Sequence, residues 1–300
     1  MARGNRSLSG KVVLVTGGGR GIGAAIARAL AAEGAHVAVA DLDGAAAAAV
    51  AAELGGGALG LSLDVTDRPA FTALLDEVER RLGPLDVVVN NAGIMPLGRF
   101  ELEDEATVIR QLELNVHAVI HGTKEAMRRM KPRRSGHIVN VASSAGRAAF
   151  PGGATYSACK FAVVGLSEAV RAELRGSGVE ITVVMPGLVH TELAVGVPDA
   201  RTVRRATPEE VARATVRALR RPRFQVYVPR TIGALMVLGS VLPWRVRDVA
   251  VRLLGVDSML MRADPEARVA YEQRAAASAP AVSPAGTDGR PQEHEPRTAV

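Results

Sequence analysis

From residue 11 to residue 228, short apolar runs rich in β-branched residues alternate with longer stretches of helical period. The runs predict strands at Lys11–Thr16, His36–Ala40, Ala58–Leu63, Leu85–Asn90, Gly136–Ala142, Val179–Met185 and Gln225–Val228. Helices are predicted between them near Ile22–Glu33, Ala45–Leu54, Arg68–Leu82, Asp104–Met130, Thr155–Arg175 and Pro208–Arg220. Runs such as Val87-Val88-Val89 and Val183-Val184-Met185 are apolar at every position, as in strands covered on both faces of a parallel sheet. Regular strand–helix alternation with right-handed crossovers then gives an α/β fold. It is a doubly wound parallel sheet of about seven strands with helices on both faces. The last of these helices has a clean start, with Thr207 as N-cap, Pro208 at the first helical position and Glu210 closing a capping box.

After Val228 the pattern changes. Thr231–Leu242 is strongly apolar but spans only about a dozen residues, short of the roughly 20 needed to cross a membrane. In Trp244–Gly255, residues Val246, Val249, Ala250, Leu253 and Leu254 fall on one helical face, and Arg245, Arg247, Asp248 and Arg252 fill the rest. Such an amphipathic helix could serve as a lid over a pocket, a subunit contact or a peripheral membrane contact on an anionic surface. The lid and the subunit contact come first, because burial of an apolar face within protein is the commoner outcome. From Ala275 the composition turns to Ala, Pro, Ser, Gly and charge without periodicity. The chain is thus expected to divide into a strand–helix core at 1–230, a helical extension packed on it at 231–274 and a disordered tail at 275–300.

With 48% hydrophobic residues among 300, the chain can bury a large core. Aromatics at 3% provide no stacking platform for bases, and no nucleic-acid-reading motif is present. The single Cys159 excludes internal disulfides, and the first ten residues lack an apolar signal core, so the expected location is cytoplasmic. Between Arg201 and Leu254 twelve arginines face three acidic residues. That excess is either a solvated face or a surface for an anionic partner.

The chemistry-bearing residues lie at the carboxyl ends of the strands. Thr16–Gly23, TGGGRGIG, follows a buried strand and opens a helix, the arrangement that receives a pyrophosphate. Gly17 permits the tight turn, and Gly21 and Gly23 allow close approach. Asp41 ends the second strand eighteen residues after Gly23, where a carboxylate can bond ribose hydroxyls. Tyr156 and Lys160 are four apart on one helical face, and an ammonium beside a phenol favours the phenolate. Ser143, at the end of the fifth strand, puts a hydroxyl at the same sheet edge. His117, His121 and His137 lack metal-ligand spacing, so no metal is expected. His190 and Cys159 read as incidental, the latter as a small buried side chain.

TGGGRGIG at 16–23, Asp64, NNAG at 90–93, Asn115, Ser143, YSACK at 156–160 and PGLVHT at 186–191 agree in order and spacing with one family. From about Leu8 to about Val228 the chain resembles the short-chain dehydrogenase/reductase family in its single-domain branch, whose sheet is Rossmann-type. That resemblance implies Tyr156 as the proton donor or acceptor, Ser143 holding the substrate oxygen, and Lys160 holding the nicotinamide ribose while lowering the Tyr156 pKa. It implies Asn115 anchoring a water that continues a proton relay. Asn91, Ala92 and Gly93 would lie along the cofactor with Gly17, Arg20, Gly21, Ile22 and Gly23. Asp64 and Val65 would flank the adenine, while Pro186, Gly187, Val189 and Thr191 would line the nicotinamide.

These expectations converge on an oxidoreductase that moves a hydride between NAD and a hydrophobic secondary alcohol or ketone. Arg20 argues for NADP, since a basic residue in this turn often accompanies it in the family; Asp41, placed at the discriminating hydroxyl, decides for NAD. The alternatives are an NADPH-dependent ketoreductase of acyl or polyketide type and a non-catalytic dinucleotide-sensing regulator. Met95, Pro96, Leu97, Leu193, Ala194, Val195 and Val197 give an apolar substrate lining. Apolar positions on several faces of 104–130 (Val108, Leu112, Val116, Val119) and of 155–175 (Ala162, Val163, Leu166, Val170) predict a homodimer or homotetramer.

Overall fold

The computed structural model describes residues 5–198, 204–241, 243, 245 and 260–278. Seven parallel strands form one sheet in the order β3-β2-β1-β4-β5-β6-β7. They are β1 Val12–Thr16, β2 His36–Asp41, β3 Leu59–Ser62, β4 Leu85–Asn90, β5 Gly136–Val141, β6 Val179–Pro186 and β7 Gln225–Val228. The expected doubly wound sheet is thus present, and each strand lies within one residue of its sequence-based bounds. The strand order reverses between β1 and β4, which opens a crevice at the carboxyl edge.

Alternate residues of each strand feed opposite layers. Val13, Val15, Val37, Val39, Val87 and Val89 pack under α1 (Gly21–Ala32), α2 (Gly44–Leu54) and α7 (Pro208–Arg220). Leu14, Ala38, Val88 and Ile138 pack on the other face against residues such as Phe71 and Leu75 of α3 (Arg68–Leu82). Helices α4 (Glu105–Leu112), α5 (Ala118–Met130) and α6 (Ala154–Glu173) complete the core. Asn90 at the end of β4 donates to Asn140 of β5 at 2.9 Å, and Asn140 donates to Ser167 of α6 at 3.1 Å. This buried polar chain fixes α6, and therefore Tyr156, to the centre of the sheet. The capping box of Thr207 and Glu210 starts α7.

Two departures from the sequence reading, at the 104–130 helix and after Ala275, have physical causes. The helix expected across 104–130 is interrupted by a π turn at Glu113–His117, which wide helical register alone does not reveal. Of the apolar positions expected to cover several faces, Val119, Val163 and Val170 pack into the core, and the exposed large apolar residues of this region are Leu112 and Phe161. A helix α9 runs Pro265–Ala276, so it continues past Ala275, where composition turns tail-like, because Tyr271 and Ala275 are buried against the core. Before it, α8 spans Arg230–Val241. The amphipathic stretch at 246–254 and the tail beyond 278 lie outside the described residues. Among the described residues no helix is long and apolar enough to cross a membrane.

Candidate active site

A cleft runs along the carboxyl edge of the sheet, and the glycine turn forms its floor. Gly17 adopts φ +61°, and a Cβ there would come 2.8 Å from Ala92 Cα. A Cβ on Gly23 would collide with the Gly17 carbonyl. Only glycine lets the chain fold this tightly. Asn91 closes the turn from β4: its Nδ2 donates to Thr16 O and Gly17 O, each at 3.0 Å, while its backbone N–H donates to Thr16 Oγ1 at 3.0 Å. Helices α2, α3, α4, α7 and α9 each receive a side-chain cap, but Arg20 at the start of α1 provides none and no acidic residue sits in the first turn. The N–H groups of α1 face the cleft uncapped, a cradle suited to a pyrophosphate.

Two carboxylates mark the far half of the cleft. Asp41 accepts from Gly19 N at 2.9 Å and from Asp43 N at 3.1 Å. Its orientation is thereby fixed toward the cleft it lines. Asp64 accepts the N–H and the hydroxyl of Thr66 on one oxygen, at 2.8 and 2.7 Å. Arg20 is engaged by Asp43 at 2.6 Å and lies 3.7 Å from Glu192.

At the inner end stand Tyr156 and Lys160, both buried. Lys160 Nζ lies 5.5 Å from the centre of the Tyr156 ring and donates to Val141 O at 3.3 Å. Burial pushes the Tyr156 phenol up to about 12, and the Ser143 hydroxyl beside it opposes this only in part. Burial also brings Lys160 down to about 8. The lysine was expected to depress the tyrosine; in the protein alone, desolvation dominates at both groups, raising the tyrosine and lowering the lysine. Ser143 donates to Pro186 O at 3.4 Å and accepts from Ala145 N at 3.1 Å. Asn115, in the π turn, spends its side chain on Ile94, accepting from its N–H at 3.2 Å and donating to its carbonyl at 3.0 Å.

Of the residues singled out from the sequence, Gly17, Arg20, Gly21, Ile22, Asp41, Asp64, Val65, Asn91, Ala92, Gly93, Asn115, Tyr156, Lys160 and Thr191 line this one cleft. Gly23 packs against Gly17 within the turn, while Ser143, Pro186, Gly187 and Val189 are not among the residues that line the cleft. Gly187 N donates to Val228 O at 2.8 Å, and Val189 is buried and bridged to Ala206. The substrate end is apolar: Met95, Ala145 and Tyr156 pack with Leu97, Phe150 and Leu193. Tyr271 and Ser278 also line the cleft and were missed. A signal for that helix exists in Asp264-Pro265, the same start as Thr207-Pro208. Among the described residues, no group of His, Cys, Asp and Glu is arranged to hold a metal. His137 is buried beside Thr182 Oγ1, 2.8 Å from its Nε2.

The sequence profile described as short chain dehydrogenase matches residues 11–202. The chain is 39% identical over 213 residues to a 3-alpha-(or 20-beta)-hydroxysteroid dehydrogenase of Mycobacterium bovis, covering 70% of this chain and 82% of the relative. It is 35% identical over 196 residues to a 3-oxoacyl-[acyl-carrier-protein] reductase of Escherichia coli, covering 64% and 79%. Among solved structures, a short chain dehydrogenase/reductase of Burkholderia phymatum in complex with NAD superposes with a TM-score of 0.73 at 27% identity, covering 78% of this chain and 94% of that one. A 3-ketoacyl-(acyl-carrier-protein) reductase of Brucella melitensis complexed with NADH gives 0.67 at 28% identity, covering 74% and 98%. The glycine turn, the buried Tyr156–Lys160 pair and these likenesses agree: the chain belongs to the short-chain dehydrogenase/reductase family, oxidoreductases that act on CH–OH groups.

Proposed function

We propose that this protein interconverts a hydrophobic secondary alcohol and its ketone with NAD as cofactor. The observation that carries the reading is Tyr156, buried at the apolar end of the cleft beside Ser143 and Lys160. When bound, the nicotinamide supplies or accepts the hydride. The uncapped start of α1 and the glycines beneath it fit the pyrophosphate. Asp41 would take the adenosine ribose hydroxyls, and the free oxygen of Asp64 the adenine amino group. Lys160 would hold the second ribose, and Val189 and Thr191 the carboxamide, next to Pro186 and Gly187.

Tyr156 would transfer the proton. With its pKa raised to about 12, the phenol keeps its hydrogen at neutral pH and is loaded as an acid for ketone reduction. Ser143 would hold the carbonyl oxygen against that hydrogen, so that charge developing on oxygen meets two donors. Asn115, by clamping Ile94, sets the loop that carries the substrate wall, and the π turn around it would anchor the water of a proton relay. In the alcohol-oxidising direction the phenol must first lose its proton, and the neighbouring Lys160 ammonium would favour that loss. Similarity to 3-oxoacyl reductases supports a second substrate class, a thioester-linked ketone.

The test is a panel of cyclohexanone, decalone, a steroid ketone and an acetoacetyl thioester with NADH and NADPH, followed by nicotinamide absorbance. Tyr156→Phe should cost at least about a hundredfold in kcat while NADH binding persists. Retention of more than about a tenth of wild-type kcat would exclude proton transfer by Tyr156.

A further inference from the structure

The family profile ends at residue 202, yet α9 reaches back to the substrate end of the cleft. The helix is anchored from its first turn: Asp264 caps it, accepting from Glu266 N at 2.9 Å, and Asp264 N donates to Gly196 O at 2.8 Å. Its inner face carries Arg268, Tyr271 and Ala275, all buried.

Arg268 is 3% exposed, and its guanidinium spans two loops. It donates to Met95 O at 2.7 Å on one side and to Leu193 O and Val195 O at 3.1 and 3.0 Å on the other. Its remaining Nε–H goes to Glu272 at 2.9 Å, and its plane lies 4.8 Å from the Tyr271 ring. The Tyr271 hydroxyl accepts from Met95 N at 2.6 Å. Both backbone polar groups of Met95 are therefore satisfied by α9. Lifting the helix would strand the buried N–H and carbonyl of Met95 and strip Arg268 of its three carbonyl acceptors on the two loops. A planar five-donor fork is the side chain able to bridge carbonyls on two loops at once.

We propose that α9 is a fixed wall of the substrate pocket, with Arg268 as the positioning residue that sets the distance between the Met95 loop and the Leu193–Val195 loop. Tyr271, which lines the cleft with Tyr156, is the specificity-determining residue that meets the carbon skeleton of the substrate. The proposal rests on the alcohol–ketone reading for its substrate, but its geometry is testable without one.

The experiment is hydrogen–deuterium exchange on the full-length protein, wild type against Arg268→Met, Arg268→Lys and Tyr271→Phe, with NADH affinity and decalone kinetics alongside. In Arg268→Met, peptides covering 94–97 and 188–197 should exchange at least about tenfold faster, with β1 and β4 unchanged. Arg268→Lys should behave like Arg268→Met, because an ammonium cannot reach both loops. Tyr271→Phe should accelerate exchange at Met95 alone. The KM for decalone should rise about tenfold in Arg268→Met, with kcat within about threefold and NADH affinity retained. Unchanged exchange in the two loops, or uniform acceleration across the sheet, would overturn the proposal. If wild-type protein reduces neither decalone nor any ketone of the panel, the alcohol–ketone reading falls while the exchange pattern still judges the wall.

Discussion

Replacing Asp41 by Asn tests how this cleft chooses its cofactor. The Asp41 carboxylate is pinned by Gly19 N and Asp43 N, with lone pairs left for the ribose hydroxyls. A 2′-phosphate there forfeits one charge-assisted hydrogen bond, about 2 kcal/mol. It also brings a charge near −2 to about 5 Å from the carboxylate, which costs about 3 kcal/mol at an effective dielectric of about 40. Asp41 is half-buried, so screening trims the total to about 3–4 kcal/mol, a preference for NADH on the order of 10²–10³ in Kd. Arg20 does not offset this, being engaged by Asp43 and facing Glu192. Asp41→Asn keeps an acceptor for the turn but removes the charge. The preference should shrink to about tenfold, mainly by tighter NADPH binding, and adding Asp43→Ala should free Arg20 and shift it further. Fluorescence titration with both reduced dinucleotides reads these constants directly. A wild-type preference below about tenfold, or an unchanged ratio in Asp41→Asn, refutes the reasoning.

Three other perturbations reach different parts of the molecule. His137 is buried and held neutral, its pKa lowered to about 3 by desolvation and by the charge of Arg6. Since the unfolded chain takes up the proton first, stability present above about pH 6.5 is lost as the pH falls toward about 3, with about 2 kcal/mol gone by about pH 5. Urea unfolding should show His137→Asn losing correspondingly less between about pH 7 and about pH 5; equal losses would contradict the assignment. A Cβ on Gly93 would stand 2.5 Å from Asn115 Oδ1 and 3.6 Å from Lys160 Nζ. Gly93→Ala should therefore cost about 1–3 kcal/mol of stability, read by urea unfolding, by pushing the Asn115 amide off Ile94, with Lys160 at ordinary contact distance left in place; a silent substitution would show that Asn115 does not clamp this loop. Phe161 is exposed on α6, and Leu112 is exposed at the end of α4. If that face joins two copies, Phe161→Glu should lower the light-scattering mass by half, and an unchanged mass places the interface elsewhere.

What could be read in the chain follows from how local each determinant is. The strands are continuous apolar runs, so β1 to β7 were legible almost to the residue, as was α7 through Thr207 and Glu210. The π turn was not, because Glu113–His117 has ordinary helical composition and its register is set by what Asn115 must reach. The spacing of Tyr156 and Lys160 was visible, but the direction of the tyrosine shift depends on burial that no spacing encodes. Asp264, Pro265 and the face Arg268–Tyr271–Ala275 could have announced α9; its partner Met95 lies far away in sequence and could not be inferred from that pattern.

The strand order carries a consequence for biosynthesis. From β4 onward, each new strand pairs with the one made just before it, β5 on β4, β6 on β5 and β7 on β6. A chain emerging from the ribosome can thus extend its sheet edge by edge, without waiting for a distant partner. The residues proposed to cradle a dinucleotide are all made by residue 191, whereas Arg268 and Tyr271 come near the end. A nascent chain would then carry its proposed cofactor residues before it could enclose a substrate, and α9, synthesised after the whole sheet, would be the helix that turns a nucleotide-binding sheet into an enclosed reaction chamber.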